Sequence, residues 1–361
     1  NMATSYKNIT GKDITQTATK LHEAIPLTGS IISGTYSDNN IKTYGHGMFE
    51  SVYDYPYLSS SANHILDITA GFSAGSALSG AAGVVAQESK IDIYNEVAQM
   101  LAGYDSTGSI NRFDVSGTFT GGTAADKMDE VFILNFARLL TKDEIQKEAD
   151  GFQLEVAVTG AYFSASHNYS HNNLKIYDKF GTANYRTNSP AGDYNLLYAS
   201  SSFPFATSAR TERPCGLIFY QAGIAVLTAS VFTTAFVSSS EMDTSGRTVD
   251  QLLVAGTIDA NCDALRHRVH NISFNNTTEL NSTIYFCRAN TGDYNYSANP
   301  TYLSASKIRV KGDNPFAQPV SYITAIGLYS PNNELLAVAK LSEPLKKTPS
   351  NELTLRVRLD Y

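Results

Sequence analysis

The sequence predicts a mainly β protein of the α+β type, with β-sandwich-like domains and a few short helices. Three observations point there. Leu353, Leu355, Val357 and Leu359 alternate strictly with Thr354, Arg356, Arg358 and Asp360, the period-two pattern of a half-buried strand. Just before them, Ile323 to Leu328 and Leu335 to Val338 flank Ser330-Pro-Asn-Asn333, where proline presets φ and asparagine tolerates left-handed backbone, so this stretch reads as a hairpin. From residue 153 onward, short apolar runs recur between turn signals, as they do in sandwich or barrel-like domains.

In chain order, Asp13 to Ala24 is expected as an amphipathic helix, because Ile14, Ala18 and Leu21 fall at helical spacing, with Asp13 as cap and Pro26 as stop. Ile25 to Tyr36 reads as a strand and Ser37-Asp-Asn-Asn40 as a turn. Met48 to Tyr57 is extended, and a polar loop leads into Ile65 to Ala70. Gly71 to Gly83 is a glycine-, alanine- and serine-rich loop. Ile91 to Leu101 is the clearest helix: Ile93, Tyr94, Val97, Ala98 and Leu101 make one apolar face, and Gly103 stands where a C-terminal cap belongs. Glu130 to Leu140 is apolar on both faces and is assigned as a strand. Thr141-Lys-Asp-Glu144 matches a capping box for a helix over 142–149. Strands follow at 153–158, 174–177, 196–199, 217–221, 224–236, 282–287 and 307–310, with a helical turn at 248–254.

At 361 residues the chain exceeds the usual size of one domain. The expected parts are an N-terminal arm over 1–45 that orders on assembly, a mixed α/β subdomain over 46–160, a β-rich domain over 161–310, and a C-terminal hairpin plus strand over 311–361 packing on it. Charged residues make up only 17%, against about a quarter in a typical domain, while 22 tyrosines and 17 phenylalanines are present. Weakly charged, tyrosine-rich surfaces are cheap to desolvate and suit permanent packing against neighbours. The net charge of −7 and the lack of any basic run argue against a nucleic-acid partner. Neither a signal peptide nor a membrane-spanning segment is read, since the longest apolar run, Gly223 to Phe236, is too short. Cys215, Cys262 and Cys287 lack paired spacing and are expected as free thiols of a chain made in a reducing cytoplasm, a Cys262–Cys287 bridge being the alternative.

Two longer likenesses add to this. The segment from Ile323 to Leu359, with its Ile-Gly-Leu-Tyr, Leu-Leu-Ala-Val and Pro344 landmarks, resembles the small β-rich attachment modules of tailed-phage tail fibres. Phe49 to Tyr361 resembles a virion structural protein of marine, cyanophage-type contractile-tailed phages. That second likeness is carried by Phe49-Glu-Ser-Val-Tyr-Asp54, Ser60 to Asp67, Arg138 to Ile145, Asn188-Ser-Pro-Ala-Gly192, Cys215 to Gly223 and Asn271 to Phe286. The resemblance implies a virion part: a homo-oligomeric structural subunit, made in the bacterial host cytoplasm and acting at the tail, baseplate, fibre-attachment or neck region. Its partners would be other virion proteins. Alternatives are a receptor- or glycan-binding module of the tail and a head decoration protein.

Catalytic chemistry finds little support. His167/His171 and His267/His270 have spacings that share a metal on a helix, but the first pair sits in a loop-like stretch and the second among arginines. Gly71-Phe-Ser-Ala-Gly75 fits a nucleophile-elbow pattern with no clear helix after it. Asp126, Asp129 and Glu130 read as a helix start or a solvated face rather than an acid/base pair. No enzyme, cofactor or metal is therefore expected. The expected interface residues are Asn332, Asn333, Leu355, Val357 and Tyr361, and Asp293-Tyr-Asn-Tyr296 is a loop suited to stacking sugars.

Overall fold

The computed structural model describes residues 6–33, 36, 38–119, 123, 126–157, 173–199, 213–232, 248–297, 299–304, 307–308, 310, 314 and 316–361. Two compact units emerge: a main unit, Leu21–Thr278, and a terminal unit joining Asn1–Lys20 to Glu279–Tyr361. The protein is mainly β with a few short helices.

The described strands are β1 (Ile14–Thr28), β2 (Ile41–Thr43), β3 (Glu50–Tyr53), β4 (His64–Phe72), β5 (Glu130–Phe136) and β6 (Glu144–Ile145). They continue with β7 (Gln153–Ala157), β8 (Asn173–Asp178), β9 (Arg186–Ser189), β10 (Gly192–Ala199), β11 (Arg213–Phe219) and β12 (Ile224–Thr228). The last six are β13 (Val269–Ala289), β14 (Leu303–Ser304), β15 (Lys307–Ile308), β16 (Ser321–Tyr329), β17 (Leu335–Lys347) and β18 (Leu353–Asp360). The helices are α1 (Gly29–Ser33), α2 (Gln87–Leu101), α3 (Arg138–Thr141), α4 (Val249–Ala255) and α5 (Ile258–Arg266).

The main unit is organised by an antiparallel sheet in the order β7-β8-β10-β11-β12-β5-β4-β3-β2. Its middle is covered on both faces: every residue of β12 is buried, as are Val131, Phe132, Ile133 and Leu134 of β5. Such strands lose the alternating pattern and read as continuous apolar runs, which is why periodicity at Glu130–Leu140 is ambiguous between strand and helix. Against β4 lies α2, burying Ile93, Tyr94, Ala98 and Leu101. The approach is tight. A Cβ on Gly71 would stand 2.5 Å from the Lys90 carbonyl oxygen, so only glycine lets the helix lie there. Gly103 closes α2 with a φ of +72° and donates its N–H to the Ala98 carbonyl, the expected cap. At the other end of this layer, Lys90 is buried and donates to the carbonyls of Leu253 (2.6 Å) and Gly256 (2.7 Å), capping α4 with a positive charge.

Two expected helices are strands instead. Asp13 to Ala24 lies almost wholly in β1, because Ile14, Thr15, Thr17 and Thr19 are β-branched and favour extended backbone over the helical spacing that Ala18 and Leu21 suggest. The expected strand at 25–36 is correspondingly only the end of β1, followed by α1. The capping box at Thr141–Glu144 does not open a helix. Lys142 turns the chain with a φ of +55°, and Glu144–Ile145 becomes β6, paired with Asn276 and Thr277 of β13. Tertiary pairing wins here: the N–H groups of Asp143, Ile145 and Gln146 donate to the carbonyls of Thr277, Tyr220 and Asn275, and Ile145 is fully buried. The 224–236 strand stops at Thr228, where a 3-10 turn over Ala229–Phe232 takes over.

In the terminal unit, Ser282–Ala289 of β13 pairs antiparallel with β18, from Ser282 opposite Asp360 to Ala289 opposite Leu353. β16 and β17 form a separate two-stranded sheet, with Asn333 at a φ of +63° in its turn. The first residues are tied to the same unit by Asp13 with Arg288 (2.8 Å), an ion pair of Lys7 with Asp293, and Tyr6 stacked edge-on to Tyr329.

Candidate functional site

The terminal unit has very little apolar core of its own. Among the described residues, only Ala289, Leu328 and Val357 are buried hydrophobics there. A polar knot takes the place of a core. Lys347, fully buried, donates from Nζ to the Asn295 side-chain oxygen (2.9 Å) and to the carbonyls of Thr291 (3.0 Å) and Thr348 (2.8 Å). Asn295 in turn donates from Nδ2 to the carbonyls of Lys347 and Pro319, both at 3.0 Å. Burying an ammonium this way is tolerable only because each of its protons meets an oxygen.

Apolar side chains stand outside instead. On the outer face of the β16–β17 sheet, Tyr322 is 62% exposed, Leu336 67% and Val338 53%, with Tyr329 and Leu335 beside them. Gly327 opens the centre of that face, and the Tyr329 ring lies 2.9 Å from where a Cβ there would be. The inner residues Ile323, Ile326, Ala337, Ala339, Leu341 and Leu345 are only half-buried. A two-stranded sheet with both faces this open is marginal in water by itself.

The expected interface residues all fall in this unit. Asn332 and Asn333 are exposed at the tip of the β16–β17 turn. Tyr361 is exposed, with its hydroxyl 3.1 Å from the Thr283 hydroxyl and its N–H donated to the Asn281 carbonyl. Leu355 is half-buried opposite Cys287, while Val357 faces inward and is covered. The 293–296 loop exposes Tyr294 and Tyr296, but its Asn295 belongs to the polar knot. Nothing in the sequence marks that knot, whose partners lie 52 residues apart.

In the main unit, a cleft of about 780 Å³ lies at the C-terminal end of α2. Glu96, Gln99 and Met100 form its helical side, Gly103 and Tyr104 its rim, and Asn188 and Pro190 the opposite wall. Asn188-Ser-Pro-Ala-Gly192 is thus the turn joining β9 to β10. Its Ser189 hydroxyl donates to the Leu101 carbonyl (2.5 Å), docking the turn on the helix end, and Asn188 Oδ1 accepts from the Tyr194 hydroxyl (2.5 Å). The chemistry on offer is an apolar rim with amides and one carboxylate, suited to a small polar ligand.

A second feature of the main unit is electrostatic. Glu50, at the start of β3, is buried with its Oε2 without a hydrogen-bond partner. Burial pushes its carboxyl up to about 8, with Asp263, Asp259 and Asp38 adding to the rise and Arg266 opposing it. Arg266, also buried, pairs with Asp38 (2.9 Å) and Asp263 (2.5 Å).

The sequence motifs for catalysis do not assemble. Gly71 and Phe72 end β4, and the Ser73 hydroxyl donates to Asp129 Oδ1 (2.7 Å), a carboxylate already held by Arg112 at 2.9 Å. That carboxylate is held by the guanidinium through both oxygens, and no histidine stands between it and the serine as a triad requires. Glu130 begins a strand, not a helix, and accepts a hydrogen bond from Ser76. His267 ends α5 and His270 lies in β13, its Nδ1 3.1 Å from Glu155, so the two share no helical face. His167 and His171 lie outside the described residues. Among the described residues no group of three or more His, Cys, Asp or Glu side chains is placed to hold a metal, and no helix is long and apolar enough to cross a membrane. All three cysteines are free, Cys215 and Cys262 buried and Cys287 half-buried. Comparison with protein-family models, with curated proteins and with solved structures returns no match.

Proposed function

We propose that this chain is a non-enzymatic structural subunit of a tailed-phage virion, acting in assembly or attachment at the tail, baseplate, fibre-attachment or neck region. The observation that supports it most is the terminal unit: regular strands, three buried apolar side chains among the described residues, and a tyrosine- and leucine-bearing sheet face turned outward. A module of this kind gains its missing burial from neighbours, as obligate subunits do. The sequence likeness to fibre-attachment modules falls on the same segment, Ile323 to Leu359.

Immunogold labelling of intact particles with antibody to this chain tests the proposal. Label at the tail, collar or baseplate is the expected result. Label spread over the head would make it a decoration protein, and an absence of the chain from purified particles, by mass spectrometry, would sink the virion assignment.

A second reading, a receptor- or glycan-binding module of the tail, draws on the α2 cleft and on the exposed Tyr294 and Tyr296. Particles that assemble normally with Tyr104→Ala or Tyr296→Ala but no longer adsorb to host cells would favour it over a purely structural role.

A further inference from the structure

We propose that the terminal unit pairs with a second copy of this chain through the free edge of β16, the two β16 strands running antiparallel about a two-fold axis. This names a partner within the assembly function proposed above and rests on it.

Among the described residues β16 and β17 pair only with each other, so each strand leaves one row of backbone N–H and C=O groups outside the ladder. The two open edges differ. β17 carries Lys340, Glu343, Pro344 and Lys346, the charges and proline that blunt an edge against strand addition. β16, Ser-Tyr-Ile-Thr-Ala-Ile-Gly-Leu-Tyr, has neither a charge nor a proline over nine residues. Its edge is open to another strand, while the edge of β17 is closed to one.

The charge pattern selects a second copy as that strand. In an antiparallel pair related by a two-fold axis, each residue faces a residue of the same strand. Any charge near the axis would then oppose its own kind, at a cost to the pair. β16 contains none, so self-pairing meets no repulsion in any register. β18 would fare worse, since a two-fold axis at Arg358 would set that arginine against itself. Protection of one edge only is also what closure requires. Two hairpins joined through β16 make a four-stranded sheet in the order β17-β16-β16-β17, whose outer edges are both the blunted kind, and growth stops at two copies. A head-to-tail contact would have to use the β17 edge as well.

The test is sedimentation of the full chain over a concentration series, with Thr324→Lys and Thr324→Glu, which lie at the exposed middle of β16. The expected result is a dimer for the unaltered chain and dissociation roughly tenfold easier for either variant. Mixing the Lys and Glu variants restores the dimer, and Ser342→Lys, at an exposed polar position of β17, leaves it intact; circular dichroism confirms that each variant is folded. A chain that self-associates equally with and without Thr324→Lys would overturn the β16 pairing and leave the assembly function standing. A chain that stays monomeric at every concentration also overturns it, and the particle labelling then decides separately whether the subunit assignment survives.

Discussion

The main unit and the terminal unit reach order by opposite routes. In the main unit, strands β4, β5, β11 and β12 are buried on both faces and held by apolar packing, with α2 laid on β4. The terminal unit has nearly as regular a backbone, yet its central buried group is the ammonium of Lys347, and several of its large apolar side chains stand on an exposed sheet face. Hydrophobic burial scales with apolar area removed from water, so the first unit carries its own core and the second has little apolar burial to hold it. Regular strands are therefore a poor guide to independence; the place of the apolar side chains is a better one.

Mutations should separate the two routes. The largest effect is expected from Phe132→Ala in β5, a fully buried ring packed edge-on against Phe232: a loss of about 3–5 kcal/mol in the main unit, read by denaturant unfolding. Unfolding of the main unit should also depend on pH through Glu50. Its folded carboxyl titrates near 8 against an ordinary value of 4.5, so the folded state holds a proton that the unfolded chain has released between those limits. Stability is full below about 4.5 and falls by roughly 2–4 kcal/mol as pH rises to 8. Lys90 acts above that: burial lowers it from 10.5 to about 8, the unfolded chain holds the proton longer, and stability climbs again from 8 to 10.5. A thermal-melting profile with a minimum near pH 8, lost on the low-pH side in Glu50→Gln, is the expected outcome; a flat profile for the unaltered chain would refute it.

Next in size is Asn295→Ala, which removes one acceptor of Lys347 and leaves two carbonyls short of a donor. It should cost about 1–3 kcal/mol, confined by hydrogen exchange to the terminal unit. The smallest intrinsic effect is expected from Leu336→Ser on the outer hairpin face. Monomer stability should move by only about 0.5 kcal/mol, while incorporation into particles falls. Were Leu336→Ser to destabilise the isolated chain as much as Phe132→Ala, the contrast between the units would collapse.

Much of the backbone was legible in advance. The strict alternation at Leu353–Asp360, the Pro-Asn-Asn turn with its left-handed Asn333, and the glycine that ends α2 each depend on neighbours in sequence, and each appears where local chemistry places it. Local chemistry misled where a second signal, local or tertiary, competed with it. At Ile14–Thr19 the β-branched residues outweighed a helical apolar spacing, and at Thr141–Glu144 a sound capping box lost to pairing with β13. Of the candidate interface, Asn332 and Asn333 are surface residues as a turn would suggest and Tyr361 is exposed as well, whereas the inward turn of Val357 depends on which face of β18 is covered.

By itself, then, the sequence determined that the protein is β-rich, where most strands and turns lie, and that its surface is poor in charge, because these follow from side-chain type and spacing over a few residues. Only the tertiary structure decided that Glu50 and Arg266 share a buried corner, that Lys347 and Asn295 replace a core, and that among the described residues β16 pairs with β17 alone. Those features join residues tens or hundreds of positions apart, and no local pattern encodes which distant backbone oxygen a buried proton will meet.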